Sequence, residues 1–204
     1  MSPFPNAISR SKISTRMTRP SQSNRVRIIG GQWRSRMVDF PSVSGLRPTP
    51  DRVRETLFNW LGQDLSGRRC IDLFAGSGAL GFEALSRNAA HVTMIEEAPA
   101  AVRALTGNAE KLQAGDRLRL LRADALHFLG ADEGIYDLVF VDPPYGAALL
   151  DRIWPLLDRR LTSGATIYAE DDRPVTPPGG WRIAKSSRAG GVHFYLMERA
   201  SDEE

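Results

Sequence analysis

Residues 72–81 read Asp-Leu-Phe-Ala-Gly-Ser-Gly-Ala-Leu-Gly, directly after the apolar pair Cys70-Ile71. An apolar run that breaks into a glycine loop and resumes as an Ala/Leu-rich segment predicts strand, tight turn and helix: Cys70–Phe74, then about Ala79 to Arg87. Gly76, Gly78 and Gly81 spell G-x-G-x-x-G, and Glu96 lies 20 residues beyond Gly76, closing the next apolar run, His91–Glu96. The alternation then repeats. A helix runs to about Leu112, a strand covers Leu118–Ala123, and a short helix covers Ala125–Leu129. Tyr136–Val141 is a strand, Ala147 to Leu157 a helix, and Ala165–Ala169 a fifth strand. Trp181–Lys185 and Val192–Glu198, around Ala189-Gly190-Gly191, predict a closing hairpin. Alternating β and α units with near-continuous apolar strands imply an α/β, Rossmann-like, doubly wound and mainly parallel seven-stranded sheet. Helices cover both faces, and the C-terminal hairpin adds an antiparallel edge.

Towards the N-terminus, Val26–Ile29, Gly30-Gly31 and Gln32–Phe40 read as strand, turn and returning strand. A loop, SVSGLRPTP (42–50), leads into a helix from about Pro50 to Leu61, with Thr49 as its N-cap and Pro50 at the first helical position. Val53, Leu57 and Leu61, joined by Phe58 and Trp60, give that helix one apolar face. The predicted organisation is therefore a basic disordered tail (1–24), a hairpin-and-helix extension (25–62), an α/β domain (63–200) and an acidic tail (201–204). The tail is rich in Ser, Pro, Thr and Arg and has no apolar stretch of secretory-signal length. An organellar transit peptide is a minor alternative, and Met17 is a second candidate start, which would make residues 1–16 an extension.

The 204 residues carry 27 Lys+Arg and 24 Asp+Glu, a net charge of +3, but the distribution is uneven. Residues 1–38 hold eight basic residues and no acid; residues 1–60 sum to +8, leaving −5 for the remainder. A basic front on a mildly acidic body fits a molecule that grips a polyanion with one end. Arginine supplies 24 of the cations, and its planar fork suits phosphates and base edges. Arg27, Arg34, Arg36, Arg47, Arg52 and Arg54 are the candidate contacts to that polyanion, which the resemblance described below implies is RNA. One cysteine, Cys70, excludes a disulfide framework and a cysteine-rich zinc site, and points to a reducing cytoplasm. No apolar run approaches the roughly 18 residues of a membrane span.

Four carboxylates, Asp72, Glu96, Asp124 and Asp142, fall at or just after the ends of four successive predicted strands. In a doubly wound sheet those ends share one edge, where open α/β sheets bind ligands. The glycines allow close backbone approach at a helix N-terminus, and an acid after the second strand suits ribose hydroxyls. Asp72, inside the strand end, would oppose a pyrophosphate but suits a ligand with an ammonium and a sulfonium. That shifts the reading from a nicotinamide nucleotide to S-adenosylmethionine. Asp124 then suits an amine donor such as an adenine amino group. Asp142-Pro143-Pro144-Tyr145 is the sharpest feature: two prolines fix φ and remove two N–H donors, leaving a rigid hook of acceptors headed by a carboxylate. It matches a planar amino group, and Tyr145 offers a face on which a flipped base can stack.

These segments resemble the class I S-adenosylmethionine-dependent methyltransferases that modify amino groups of bases. DLFAGSG (72–78) resembles their first motif, with Phe74 where many relatives have Gly, and DPPY (142–145) resembles their catalytic motif. RIIGGQWRSR (27–36), LRPTPDRVRETLFNWL (46–61), FAGSGALGFEALSR (74–87) and VFVDPPY (139–145) together resemble the RsmD family of bacterial 16S rRNA guanine-N2 methyltransferases. The resemblance covers about residues 25–200 and is most specific in the first half. It implies a class I methyltransferase fold and methylation of a guanine N2 in 16S rRNA, free or within the small ribosomal subunit. S-adenosylmethionine would become S-adenosylhomocysteine, with no metal and no membrane, and the protein would act as a cytoplasmic monomer. It implies that Asp72, Phe74, Gly76, Gly78, Glu96, Asp124 and Ala125 hold the cofactor. Asp142, Pro143, Pro144 and Tyr145 would hold the guanine. An adenine-N6 methyltransferase is the nearest alternative, because the same hook holds either amino group. An assembly factor without turnover and a nicotinamide-dependent oxidoreductase are more distant ones.

The remaining polar and aromatic residues have ordinary readings. His91, His127 and His193 are scattered, each near an apolar stretch, and core or surface roles are expected over metal ligation. Cys70 is a small buried hydrophobe. The four tryptophans are expected to pack, and Glu170-Asp171-Asp172 to form a solvated loop after the fifth strand.

Overall fold

The computed structural model describes residues 24–42, 46, 48–144 and 149–200. Residues 1–23 and 201–204 of the expected tails, the alternative start at Met17, Arg47, Tyr145 and the expected helix start at Ala147 lie outside these residues, while Asn24, expected in the tail, begins the first strand.

A seven-stranded sheet forms the centre. Its strands are β3 (Arg69–Asp72), β4 (His91–Glu96), β5 (Leu118–Arg122), β6 (Tyr136–Val141), β7 (Leu161–Asp171), β8 (Trp181–Ala189) and β9 (Val192–Arg199). Their order is β5-β4-β3-β6-β7-β9-β8. The first five are mutually parallel, while β9 runs antiparallel to both β7 and β8. Strand order reverses between β3 and β6, so a crevice opens there at the carboxyl ends.

Side chains alternate across the sheet, and each face has its own core. Cys70, Leu138, Phe140 and Tyr168 point to one side, against Leu57 and Phe58 of α1 (Asp51–Leu61) and Phe82 and Leu85 of α2 (Ala79–Ser86). Ile71, Val139, Val141 and Ile167 point to the other, against Phe128 and Leu129 of α4 (Ala125–Ala131) and Ile153 and Trp154 of α5 (Leu149–Leu157). Helix α3 (Pro99–Leu112) buries Leu105 and Leu112 on the first side. Burial on both faces is why these strands read as continuous apolar runs.

The N-terminal hairpin pairs β1 (Asn24–Arg27) with β2 (Met37–Phe40). The expected long return strand from Gln32 is instead a 3-10 turn at Gly31–Trp33 followed by β2. Gly30 and Gly31 serve close approach: a Cβ on Gly30 would sit 2.1 Å from Arg87 Nη2, and one on Gly31 1.8 Å from the Ser86 carbonyl oxygen. Thus the hairpin lies directly on the end of α2.

Two further expectations change. Pro50, not Thr49, is the N-cap of α1, and no side chain caps it. The solvated loop expected at Glu170 does not exist there. Strand β7 runs on through Asp171, and Glu170 is buried at 3% exposure. Cys70 and Trp33, Trp154 and Trp181 are buried as expected, and Trp60 packs on Phe194 with ring centroids 5.4 Å apart.

Candidate active site

A cavity of about 700 Å³ opens at the carboxyl ends of β3, β4 and β6 and the Ala123–Ala125 turn that follows β5. All four sequence-picked carboxylates, Asp72, Glu96, Asp124 and Asp142, line it, and so do Pro143 and Pro144. Phe74, Gly76 and Ala125 are also in its wall. Gly78 stands just behind, as the left-handed N-cap of α2 (φ 78°). Leu46 and Thr49 close the cavity from the N-terminal extension, so extension and sheet edge build one site.

Asp72 is the last residue of β3 and is 2% exposed. Its Oδ2 accepts the Gly81 N–H at 3.2 Å, whereas Oδ1 is buried with no hydrogen-bond partner among the described residues. Burial, then the charges of Asp142 and Glu96, push this carboxyl up to about 7. An unsatisfied buried carboxylate oxygen in a cavity wall fits a cationic ligand, and a pyrophosphate would meet repulsion.

Glu96 closes the glycine loop. Its Oε2 accepts the Gly76 N–H and its Oε1 the Ala98 N–H, each at 2.8 Å. Each oxygen has a second lone pair, so Glu96 can hold the loop and still accept from a diol. Asp124 caps α4, with Oδ1 accepting the His127 N–H at 2.8 Å. Among the described residues no group of acids and histidines has metal-binding geometry.

Asp142 follows β6 immediately and is half-buried. Desolvation pushes its carboxyl up to about 7, although the Thr49 hydroxyl, 3.5 Å from Oδ2, favours the ionised form. An ordinary aspartate, with a pKa of about 3.9, holds its proton far less tightly. The reason lies in the tertiary structure, because the fold sets Asp142 in the cavity wall beside Thr49, partly out of water.

The basic extension divides. Arg27, Arg34, Arg36 and Arg52 are exposed; Arg27 pairs with Asp51 at 3.0 Å, and Arg36 donates to the Lys111 carbonyl. Arg54 is no RNA contact. It is 0% exposed, donates to Glu83 Oε2 at 3.2 Å, and also donates to the carbonyls of Thr49 and Arg27. Glu83, equally buried, accepts the N–H groups of Ile29 and Gly30 and pairs with Arg87. This network ties the hairpin, α1 and α2 together.

The family model described as conserved hypothetical protein 95 matches residues 26–198. Ribosomal RNA small subunit methyltransferase D of Escherichia coli is 43% identical over 189 residues, spanning 90% of this chain and 95% of the relative. The chain belongs to this family. The Haemophilus influenzae methyltransferase D is 38% identical over 88% of this chain and 96% of that one. The solved structure of the Escherichia coli protein yhhF is 44% identical, with a TM-score of 0.78 over 88% of this chain and all of that one. An RNA methyltransferase from Salinibacter ruber, solved with S-adenosyl-L-homocysteine, is 20% identical with a TM-score of 0.61 over 78% of this chain and 97% of that one. It shares the fold.

Within this family member, sequence reasoning missed one residue in the cavity wall, Thr49, and one behind it, Glu170. Thr49, taken for a helix cap, turns its hydroxyl to Asp142. Glu170, taken for a loop acid, stands one strand away from Asp142 in the same layer. A signal existed for Glu170: it follows an apolar run as the other four acids do. Its neighbours Asp171 and Asp172 masked that register.

Proposed function

We propose that the protein transfers a methyl group from S-adenosylmethionine to the exocyclic N2 of a guanine in small-subunit ribosomal RNA. One observation carries the reading: the unpartnered Asp72 oxygen and the Asp142-Pro143-Pro144 hook sit at the ends of the adjacent strands β3 and β6, in the wall of one cavity. Membership in a family of ribosomal RNA methyltransferases supports the substrate class.

When bound, S-adenosylmethionine supplies an electrophilic methyl on a sulfonium. Asp72 would accept from the amino-acid ammonium, Glu96 from the ribose hydroxyls and Asp124 from the adenine amino group. The loop at Gly76 and Gly78 brings backbone close to the ligand. Asp142 accepts one N2–H of a guanine taken out of its helix, the Pro143 carbonyl accepts the other, and Tyr145 stacks on the ring. Guanine N2 is a poor nucleophile because its lone pair is delocalised into the ring. Two acceptors on the N2–H groups would favour a pyramidal nitrogen and so free its lone pair for attack. In-line positioning then supplies much of the acceleration. Asp142, even raised to about 7, does not deprotonate a neutral amine beforehand, so it takes the proton with or after transfer. Exposed Arg27 and Arg52, at the start of α1 next to Thr49, hold the RNA backbone near the cavity, while Arg34 and Arg36, by the far ends of α2 and α3, would meet the RNA away from it.

Incubating the protein with tritiated S-adenosylmethionine and 16S rRNA, free and in subunits, followed by nucleoside analysis, tests this. N2-methylguanosine is expected; N6-methyladenosine would establish the adenine alternative. Asp142→Ala is expected to abolish turnover with cofactor affinity nearly intact, and an active Asp142→Ala enzyme would refute the hook's role.

A further inference from the structure

Glu170 is buried on the sheet face that carries the site, yet the chemistry above does not use it. The parallel register Phe140↔Tyr168 and Val141↔Ala169 carries on to Asp142 and Glu170, placing them on neighbouring strand ends about 4.8 Å apart in backbone. Both have the parity of Phe140 and Tyr168, which point towards α1 and α2. Across β9 the partner of Glu170 is Phe194, which packs against Trp60 of α1, so that flank is apolar. The Tyr168 hydroxyl, itself buried, donates to Glu170 Oε1 at 2.7 Å and fixes its orientation. Among the described residues no Arg or Lys forms an ion pair with Glu170.

A buried acid without a cation is costly, and packing alone would be better served by Met or Leu. Two neighbouring carboxyls removed from water do not both ionise; the pair retains one proton. Glu170 is the more enclosed partner and Asp142 faces the cavity, so the proton resides on Glu170. Burial followed by the charge of Asp142 pushes Glu170 up to about 8, in agreement with that geometry.

We propose that Glu170 is a positioning residue for Asp142: a carboxyl at the end of β7 that stays neutral when Asp142 ionises, so that no second negative charge displaces the Asp142 carboxylate from the substrate amino group. The inference rests on the functional reading above. When the methylated nitrogen loses its extra proton, the N–H bond breaks, its electron pair stays on nitrogen, and Asp142 receives the proton. The pair then holds two protons until one passes to water through the cavity. At alkaline pH Glu170 also ionises, and the second negative charge displaces Asp142 and slows turnover. Among the described residues, the titratable groups facing Glu170 are Asp142, just after β6, and Tyr168 on β7, with Asp72 beyond Asp142.

The test compares wild type, Glu170→Gln and Glu170→Ala in methyl transfer to rRNA across pH 5.5 to 9, with cofactor binding and thermal melts on each. Glu170→Ala is expected to lower kcat by about tenfold or more with KM and cofactor affinity unchanged, as for a misplaced catalytic group. Glu170→Gln, neutral and hydrogen-bonding, should restore kcat to within about threefold of wild type and abolish the alkaline decline. Wild-type kcat and pH profile in Glu170→Ala, or parallel loss of activity and cofactor affinity in both variants, would overturn the proposal. If the alanine variant does not fold, a glutamine variant with the wild-type alkaline decline overturns it alone. A substrate-free readout separates this from the functional reading: the infrared carbonyl band of a protonated buried carboxyl at pH 7, diminished in Glu170→Gln. Absence of that difference overturns the proposal whatever the substrate is.

Discussion

The Arg54 guanidinium and the Glu83 carboxylate meet at 3.2 Å with side chains 1% and 0% exposed, joining α1 to α2 out of contact with water. Through Arg54 the same contact reaches the Thr49 carbonyl, and the Thr49 hydroxyl reaches Asp142. The basic extension is therefore wired into the cavity edge and is not a loose arm beside it.

Arg54→Leu should cost about 3 kcal/mol of stability in urea denaturation, the lower end for breaking a buried pair, because Arg87 and two N–H groups still hold Glu83. The salt dependence of RNA binding should not change. A reduced salt slope in a stably folded Arg54 variant would restore it as a phosphate contact.

Arg34 and Arg52 are exposed and form no ion pair among the described residues. Replacing either by Gln should lower the slope of log K against log salt by about 0.7–0.9 if each neutralises one phosphate. Arg27 must first release Asp51, so Arg27→Gln should have the smaller effect on affinity. Filter binding from low to physiological salt measures this, and an unchanged slope in both Gln variants would exclude this patch.

The carboxyls of Asp72 and Asp142, at about 7, and Glu170, at about 8, lie above their unfolded values. The sign follows: their contribution to stability is complete below the unfolded value of about 4 and is lost as pH rises through 7 to 8. Unliganded protein should melt at lower temperature at pH 8.5 than at pH 6. A cationic cofactor favours ionised Asp72, so its binding should release a proton near pH 6.5 and tighten as pH rises to 7. Calorimetry in buffers of different ionisation enthalpy measures the proton, and Asp72→Asn should abolish its release.

The two glycines of the loop should separate by phenotype. Gly78 has φ 78°, and a Cβ there would lie 2.6 Å from Leu105 and from the Phe82 ring. Gly78→Ala should destabilise the fold by about 1–3 kcal/mol. Gly76 has φ 51° but only ordinary contacts at 3.7 Å, facing the cavity. Gly76→Ala should cost about 1 kcal/mol of stability while weakening cofactor binding more. Equal melting temperatures for the two variants would contradict this division.

Much of the site was readable before any coordinates. Strand periodicity, the glycine loop and the Pro-Pro hook are local signals, set by φ/ψ restriction and by burial on both sheet faces. They placed Asp72, Glu96, Asp124 and Asp142 on one edge, where a single cavity gathers them. Charged residues whose meaning depends on distant partners were not readable. Arg54 looks like any helical arginine until Glu83, 29 residues on, is packed beneath it. Glu170 looks like a loop acid until β9 pairs with β7 and dries it. Chain chemistry alone determined the order of strands and helices and the acceptor-only hook, because these follow from neighbouring residues. Which charges lose their water, and so which carboxyls keep a proton beside the hook, was decided only when strands far apart in the chain came together.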